Sequence, residues 1–222
     1  MNSHRIIPGL LIRLDRDQEA YDFCAWYMRN IDPTHPWDNQ WEEDTTLPIL
    51  DLHDADPSES VLAWLTHDAM TNRLESPAYV LLVLLRLSEA LVKAVQLKRA
   101  DPALSPPEVI ETVKETCPSD ILSRHPSWLA ETDTIEKRHS AVFRNALILY
   151  TTIENYNLLY FRTILHPDGK ESYRDSLLPI REPRSPYEAE MAFDDTHLAW
   201  NTSKWALDVL FNMFVDPDSL YN

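Results

Sequence analysis

Two pairs of residues in this chain have the types and spacing of metal ligands: Glu136 with His139, and Asp194 with His197. A carboxylate and an imidazole three residues apart on a helix project from one face. Bundles that hold two iron or manganese ions use two such pairs, together with carboxylates from two other helices. Glu89 and Glu154 are available for that second role. Chance tempers the reading. With 8 histidines and 36 acids in 222 residues, random placement yields about 1.3 such pairs. Three are present, the third being Asp32 with His35 in a loop-like stretch. His139 also falls on the apolar stripe of its helix, and the helix dipole alone favours acids in a first turn. The sequence therefore favours a chain without a cofactor, with iron or manganese at these four residues as the alternative.

A second cluster, Asp51, His53, Asp54 and Asp56, puts oxygens and an imidazole on one loop, a donor set suited to a divalent cation. It lacks the glycine and the bidentate glutamate of an EF-hand loop. Turns made by aspartate ahead of a helix account for most of the pattern. Cys24 and Cys117 are the only cysteines, too few for a disulfide framework or a Cys-rich zinc finger, and neither sits in a recognisable nucleophile motif. Trp37 and Trp41 stand in the same acidic stretch as Asp51 and His53. Indoles there either clamp the stretch onto the protein or line a groove for a peptide. Trp37, Trp41, Asp51 and His53 are thus the candidate binding residues.

These side chains need helices to position them. Only 2 glycines stand against 16 prolines. Phosphate-binding loops, dinucleotide turns and tight hairpins all need glycine for positive φ or close backbone approach, so none is expected. Apolar spacing of three to four residues predicts an all-α chain, a helical bundle or an array of helical hairpins. Residues 6–30 read as a helical hairpin, with Leu10, Leu11 and Leu14 as the stripe of its first helix. Residues 31–57 form a long acidic stretch rich in Trp and Pro. Ser58 is placed to cap a short helix over 59–70. Ser76-Pro77 starts a long helix over 77–99 that is apolar on every side in its first half. A further helix runs from Ser105 to Cys117. Asp133 and Glu136 suggest a capping box for a second long helix over 134–165. Ser185, Pro186 and Glu188 launch the last helix or helix pair, to about residue 215. The expected organisation is one helical unit over 1–222, residues 1–57 being the hairpin plus acidic stretch and 58–222 the main bundle.

The segment LIRLDRDQEAYDFCAWYMRNIDP resembles one tetratricopeptide repeat. Leu14 precedes the inter-helix turn, Ala20 is the small residue where the helices cross, Cys24 takes the aromatic knob position, and Asp32-Pro33 closes the unit. Asp15 replaces the usual turn glycine, Tyr27 replaces a small residue, and Pro33 falls one position late. No second copy follows at the repeat period, although such units need neighbours to bury their faces. The remainder resembles uncharacterised helical proteins of fungi, from which no activity follows. The repeat resemblance implies protein–protein interaction.

The formal net charge is −16. A surface this acidic repels nucleic-acid phosphates and anionic lipid, and it favours basic protein or peptide partners. The longest apolar run, Ala78 to Leu85, is far short of the roughly 20 residues that span a bilayer. The N-terminus lacks the apolar core of a signal peptide, so a cytoplasmic or nuclear chain that is not secreted is expected.

Overall fold

The computed structural model describes residues 3–30, 54–63, 65, 74–166 and 186–215. Among them are nine α-helices and no strand: α1 Ser3–Arg13, α2 Asp17–Asn30, α3 Glu75–Ala100, α4 Pro106–Lys114, α5 Ile121–Arg124, α6 Thr132–Tyr156, α7 Leu158–Leu165, α8 Pro186–Trp200 and α9 Lys204–Val215. Short 3₁₀ turns stand at Val61–Ala63 and Pro126–Leu129. No described helix is long and apolar enough to cross a membrane. Trp37, Trp41, Asp51 and His53 lie outside the described residues.

Helix α3 is the axis of the molecule. Every residue from Glu75 to Ser88 is buried, including all sides of the run Ala78–Leu85. An amphipathic helix has one dry face. One that is apolar all round needs neighbours all round, and α3 touches α1, α2, α4, α5, α6, α8 and α9. Its longest partner is α6, which presents Ile135, Val142, Ala146, Leu149 and Ile153 along the shared seam. The two long helices packed lengthwise, with the N-terminal hairpin and C-terminal helices on their sides, are as the apolar spacing implied.

The second long helix is broken where the sequence suggested continuity. Asn157 leaves the helical region, at φ −149° and ψ 88°, and its side-chain oxygen accepts from the amide of Leu159 at 3.2 Å, capping α7. Asparagine competes with the helical ladder for backbone partners, and here it ends one helix and starts the next. Glu188 of α8 holds the break, accepting from Tyr156 Oη at 2.9 Å and from Asn157 Nδ2 at 3.3 Å.

The capping box expected at Asp133 and Glu136 does not form, because α6 starts earlier, after Glu131, with no side-chain cap. A reciprocal box stands instead at the start of α4, where the amide and hydroxyl of Ser105 both bond to the Glu108 carboxylate at 2.7 and 2.6 Å. The helix expected over 59–70 is, among the described residues, one 3₁₀ turn at Val61–Ala63. Ser58, expected to cap it, instead bonds to Asp56 and Arg138.

In the α1–α2 hairpin, Asp15 adopts φ 58°, the left-handed geometry that asparagine and aspartate tolerate better than most residues. Ala20 and Cys24 are buried on α2. Gly9 is the position in α1 where a side chain cannot fit. A Cβ there would stand 2.7 Å from the Tyr79 hydroxyl of α3, which lies 2.8 Å from the Arg5 carbonyl and 2.6 Å from the Asp195 carbonyl. Glycine thus lets α1 lie directly on α3.

The stripe Leu10, Leu11 and Leu14 does not face inward as a unit. Between residues 5 and 13 of α1, Pro8, Gly9 and Ile12 are the buried residues, whereas Leu10 and Leu14 are 47% and 66% exposed.

Candidate functional site

The four residues expected to ligate metal are occupied separately. Glu136 pairs with Arg99 at 2.7 Å near the surface. His139 places Nε2 3.0 Å from Ser88 Oγ and stacks on Phe143, and burial lowers its basicity. His197 has Nδ1 3.1 Å from the carbonyls of Phe193 and Asp194 in its own helix, so that nitrogen carries the proton, and the ring stacks on Phe193. His139 meets α3 at Ser88, while α8 meets it through Asp195, next to Asp194, at Tyr79. Those two α3 positions are about 13 Å apart along the helix axis. The extra acids are engaged elsewhere, Glu89 with Lys93 and Glu154 with the hydroxyl of Tyr150. No group of three or more His, Cys, Asp or Glu able to hold a metal ion occurs among the described residues.

What the helices do bring together is a buried charge hub that sequence reasoning missed. Arg86, on the apolar helix α3, donates Nε to Asp17 at 2.9 Å, one terminal nitrogen to Thr202 Oγ1 at 2.7 Å, and the other to Asp15 at 2.9 Å and to the Pro118 carbonyl. One guanidinium thus ties together the α1–α2 turn, the start of α2, the connection before α5 and the α8–α9 turn. The one signal available was a lone arginine ending an eight-residue apolar run. A cation placed there must find partners, since burying it alone is prohibitive.

Beside the hub lies a cleft of about 160 Å³ lined by Arg86, Glu89, Cys117, Ser119, Ser203 and Trp205 among others. None of the lining residues is a histidine that could serve as a base. Burial raises the Cys117 thiol above its ordinary range against the pull of nearby Lys93, so it stays protonated and weakly nucleophilic near neutral pH. Arg86 is already committed to two carboxylates. Among the described residues the cleft is polar and holds no assembled catalytic set.

Several buried carboxyls are shifted upward. Loss of solvation pushes Asp17 up to about 7 in spite of Arg86, and Asp22 up to about 6. Burial also raises Glu75 and Asp195, against Arg5. Between the unfolded carboxyl value near 4 and these raised values, the folded chain binds more protons than the unfolded one, so stability rises as pH falls through that window. His125 and His139, both held low by burial, act in the opposite sense below about 6.5. From about pH 8 down to about pH 6 the carboxyls dominate, and the melting temperature is expected to rise by about 2–4 °C. Thermal melts across that range check it. Asp17→Asn should flatten the slope, and a melting temperature that falls on acidification contradicts the assignment.

Among the described residues, the exposed surface carries one ordered apolar feature. On α1, Ile6 and Leu10 stand four residues apart, and Leu14 follows at the same interval one residue past the end of the helix; they are 37%, 47% and 66% exposed, with Ile7 beside them at 36%. Helix α8 packs along α1 and carries an exposed leucine of its own, Leu198, at 52%. Residues at i and i+4 share one face, so α1 is apolar on both sides, one covered by α2, α3 and α8 and the other partly exposed at Ile6, Ile7 and Leu10.

Against models of known protein families, characterised proteins and solved structures, neither the sequence nor the fold gives a significant match.

Proposed function

We propose that this chain is a protein-interaction domain whose α1 outer face docks an amphipathic helix with basic flanks. The observation that carries the reading is the exposed stripe Ile6, Ile7 and Leu10, continued by Leu14 just past the helix end, on a helix already packed on its other side. Scattered surface leucines need no explanation, whereas an aligned row on one helix has the i, i+4 geometry that helix-in-groove recognition uses. The net charge of −16 favours a cationic partner and speeds its approach. The resemblance of the α1–α2 hairpin to a tetratricopeptide repeat supports the same class of function. So does the composition of the acidic stretch that holds Trp37, Trp41, Asp51 and His53, which adds aromatic and acidic side chains to what such a partner would meet.

A synthetic Leu/Lys amphipathic helix is a suitable probe, titrated against the whole chain by fluorescence anisotropy. Binding is expected to weaken about tenfold or more when Leu10 and Leu14 are both replaced by glutamate, although the chain becomes more acidic. Tighter binding to that variant would mean that charge alone attracts the peptide, and would overturn the stripe as the docking face.

A further inference from the structure

Residues 54–61 are held in a way that ordinary surface loops are not. Loop backbone is usually satisfied by its own turns and by water. Here side chains from two helices reach out to it. The Ala55 amide donates to Asp22 Oδ1 at 3.0 Å, and its carbonyl accepts from Gln18 Nε2 at 2.8 Å. Two residues on, Asn145 Nδ2 donates to the carbonyls of Pro57 and Glu59 at 3.1 and 2.6 Å, while its oxygen accepts from the Val61 amide at 3.4 Å. Gln18, Asp22 and Asn145 are all almost fully buried, and His125 fixes Gln18 from behind, 3.0 Å from its side-chain oxygen.

The segment's own side chains are read as well. Arg138 bonds to Asp56 at 2.6 Å and to the Ser58 hydroxyl, with its guanidinium lying over Trp128 at 5.0 Å. Arg124 bonds to Asp54 at 2.9 Å. Val61 is fully buried as an apolar anchor. Backbone read by buried amides, one carboxylate read by an arginine stacked on an indole, and an apolar residue five positions later are the components of a peptide-recognition groove.

We propose that the groove between α2, α5 and α6 is a recognition site for an acidic Asp-Pro segment of a partner protein, occupied in this chain by its own residues 54–61 as an internal competitor. Tethering gives the internal segment an effective concentration on the order of millimolar, so a partner segment binds weakly until the tethered copy loosens. The groove shares no residue with the α1 stripe, and the two readings stand or fall separately.

The test uses a fluorescein-labelled octapeptide with the sequence of residues 54–61, DADPSESV, titrated against the whole chain. The wild-type chain is expected to bind it weakly. Asp56→Ala removes the internal carboxylate and frees Arg138 while leaving every groove residue in place, and is expected to tighten binding about tenfold or more. A probe whose third residue is alanine should lose that gain, as should addition of Asn145→Ala. An Asp56→Ala chain of native helicity that binds no tighter than wild type, or fails to distinguish the two probes, overturns the proposal. Amide exchange in the unsubstituted chain gives a second readout. Saturating unlabelled probe should speed exchange at Ala55 and Val61, and unchanged protection there also overturns it.

Discussion

Replacing Arg86 by alanine is expected to lower the unfolding free energy by about 3–5 kcal/mol. The size of the effect comes from what remains behind. Asp17 is fully buried, and Arg86 is the cation bonded to its Oδ2. Without the guanidinium, Asp17 must take up a proton or stand as an uncompensated buried charge, and the Pro118 carbonyl and Thr202 hydroxyl lose a donor as well. Four chain segments meet at this side chain, so the loss should spread to the hairpin and to the α8–α9 turn. Urea denaturation reads the change. Removing both charges, as in Arg86→Met with Asp17→Leu, should recover most of it, because a buried ion pair and an apolar pair of similar volume are often close in stability. A loss below about 1 kcal/mol for Arg86→Ala would show that the hub contributes little.

The second large effect lies along α3. Leu81, Leu82, Leu84 and Leu87 point in different directions around the helix, and all four are fully buried. Truncation of any one to alanine is expected to cost about 2–5 kcal/mol, through lost burial and the cavity left behind. An amphipathic helix would show a costly face and a tolerant one. Helix α4 is that contrast, with Val109 and Val113 buried and Glu111 and Thr112 exposed, so alanine at Glu111 or Thr112 should change stability by less than about 0.5 kcal/mol. Denaturation of the four leucine variants decides it. If any two lose under about 1 kcal/mol, α3 is not enclosed on all sides.

The parts of this fold that could be read from the sequence are those set by local spacing. The unbroken apolar run at Ala78–Leu85 required a helix enclosed by others, and Ile135, Val142, Ala146 and Ile153 marked the face of α6 that meets it. Long-range pairing left no local trace. The partners of Arg86 come from positions 15, 17, 118 and 202, and nothing near residue 86 announces them. The same holds for Asn145, whose clamp on residues 57–61 spans more than 80 positions of chain. Glu136 and His139 share a helix face, as their spacing required, yet spacing could not tell that each turns to a different neighbour, Arg99 and Ser88. On α1 the limit was of another kind. With apolar residues on both sides, periodicity identifies the stripe at Leu10 and Leu14 without saying which side is covered, and packing against Tyr79 at Gly9 settles it.

The outer face of α1 is where the functional reading can be met most directly. Methyl resonances of the whole chain, followed while the Leu/Lys helix is added, should move at Ile6, Ile7, Leu10 and Leu14, and stay in place at Leu62 and Leu158, which are also exposed. Shifts centred on those two residues, or spread evenly over the surface, would contradict it.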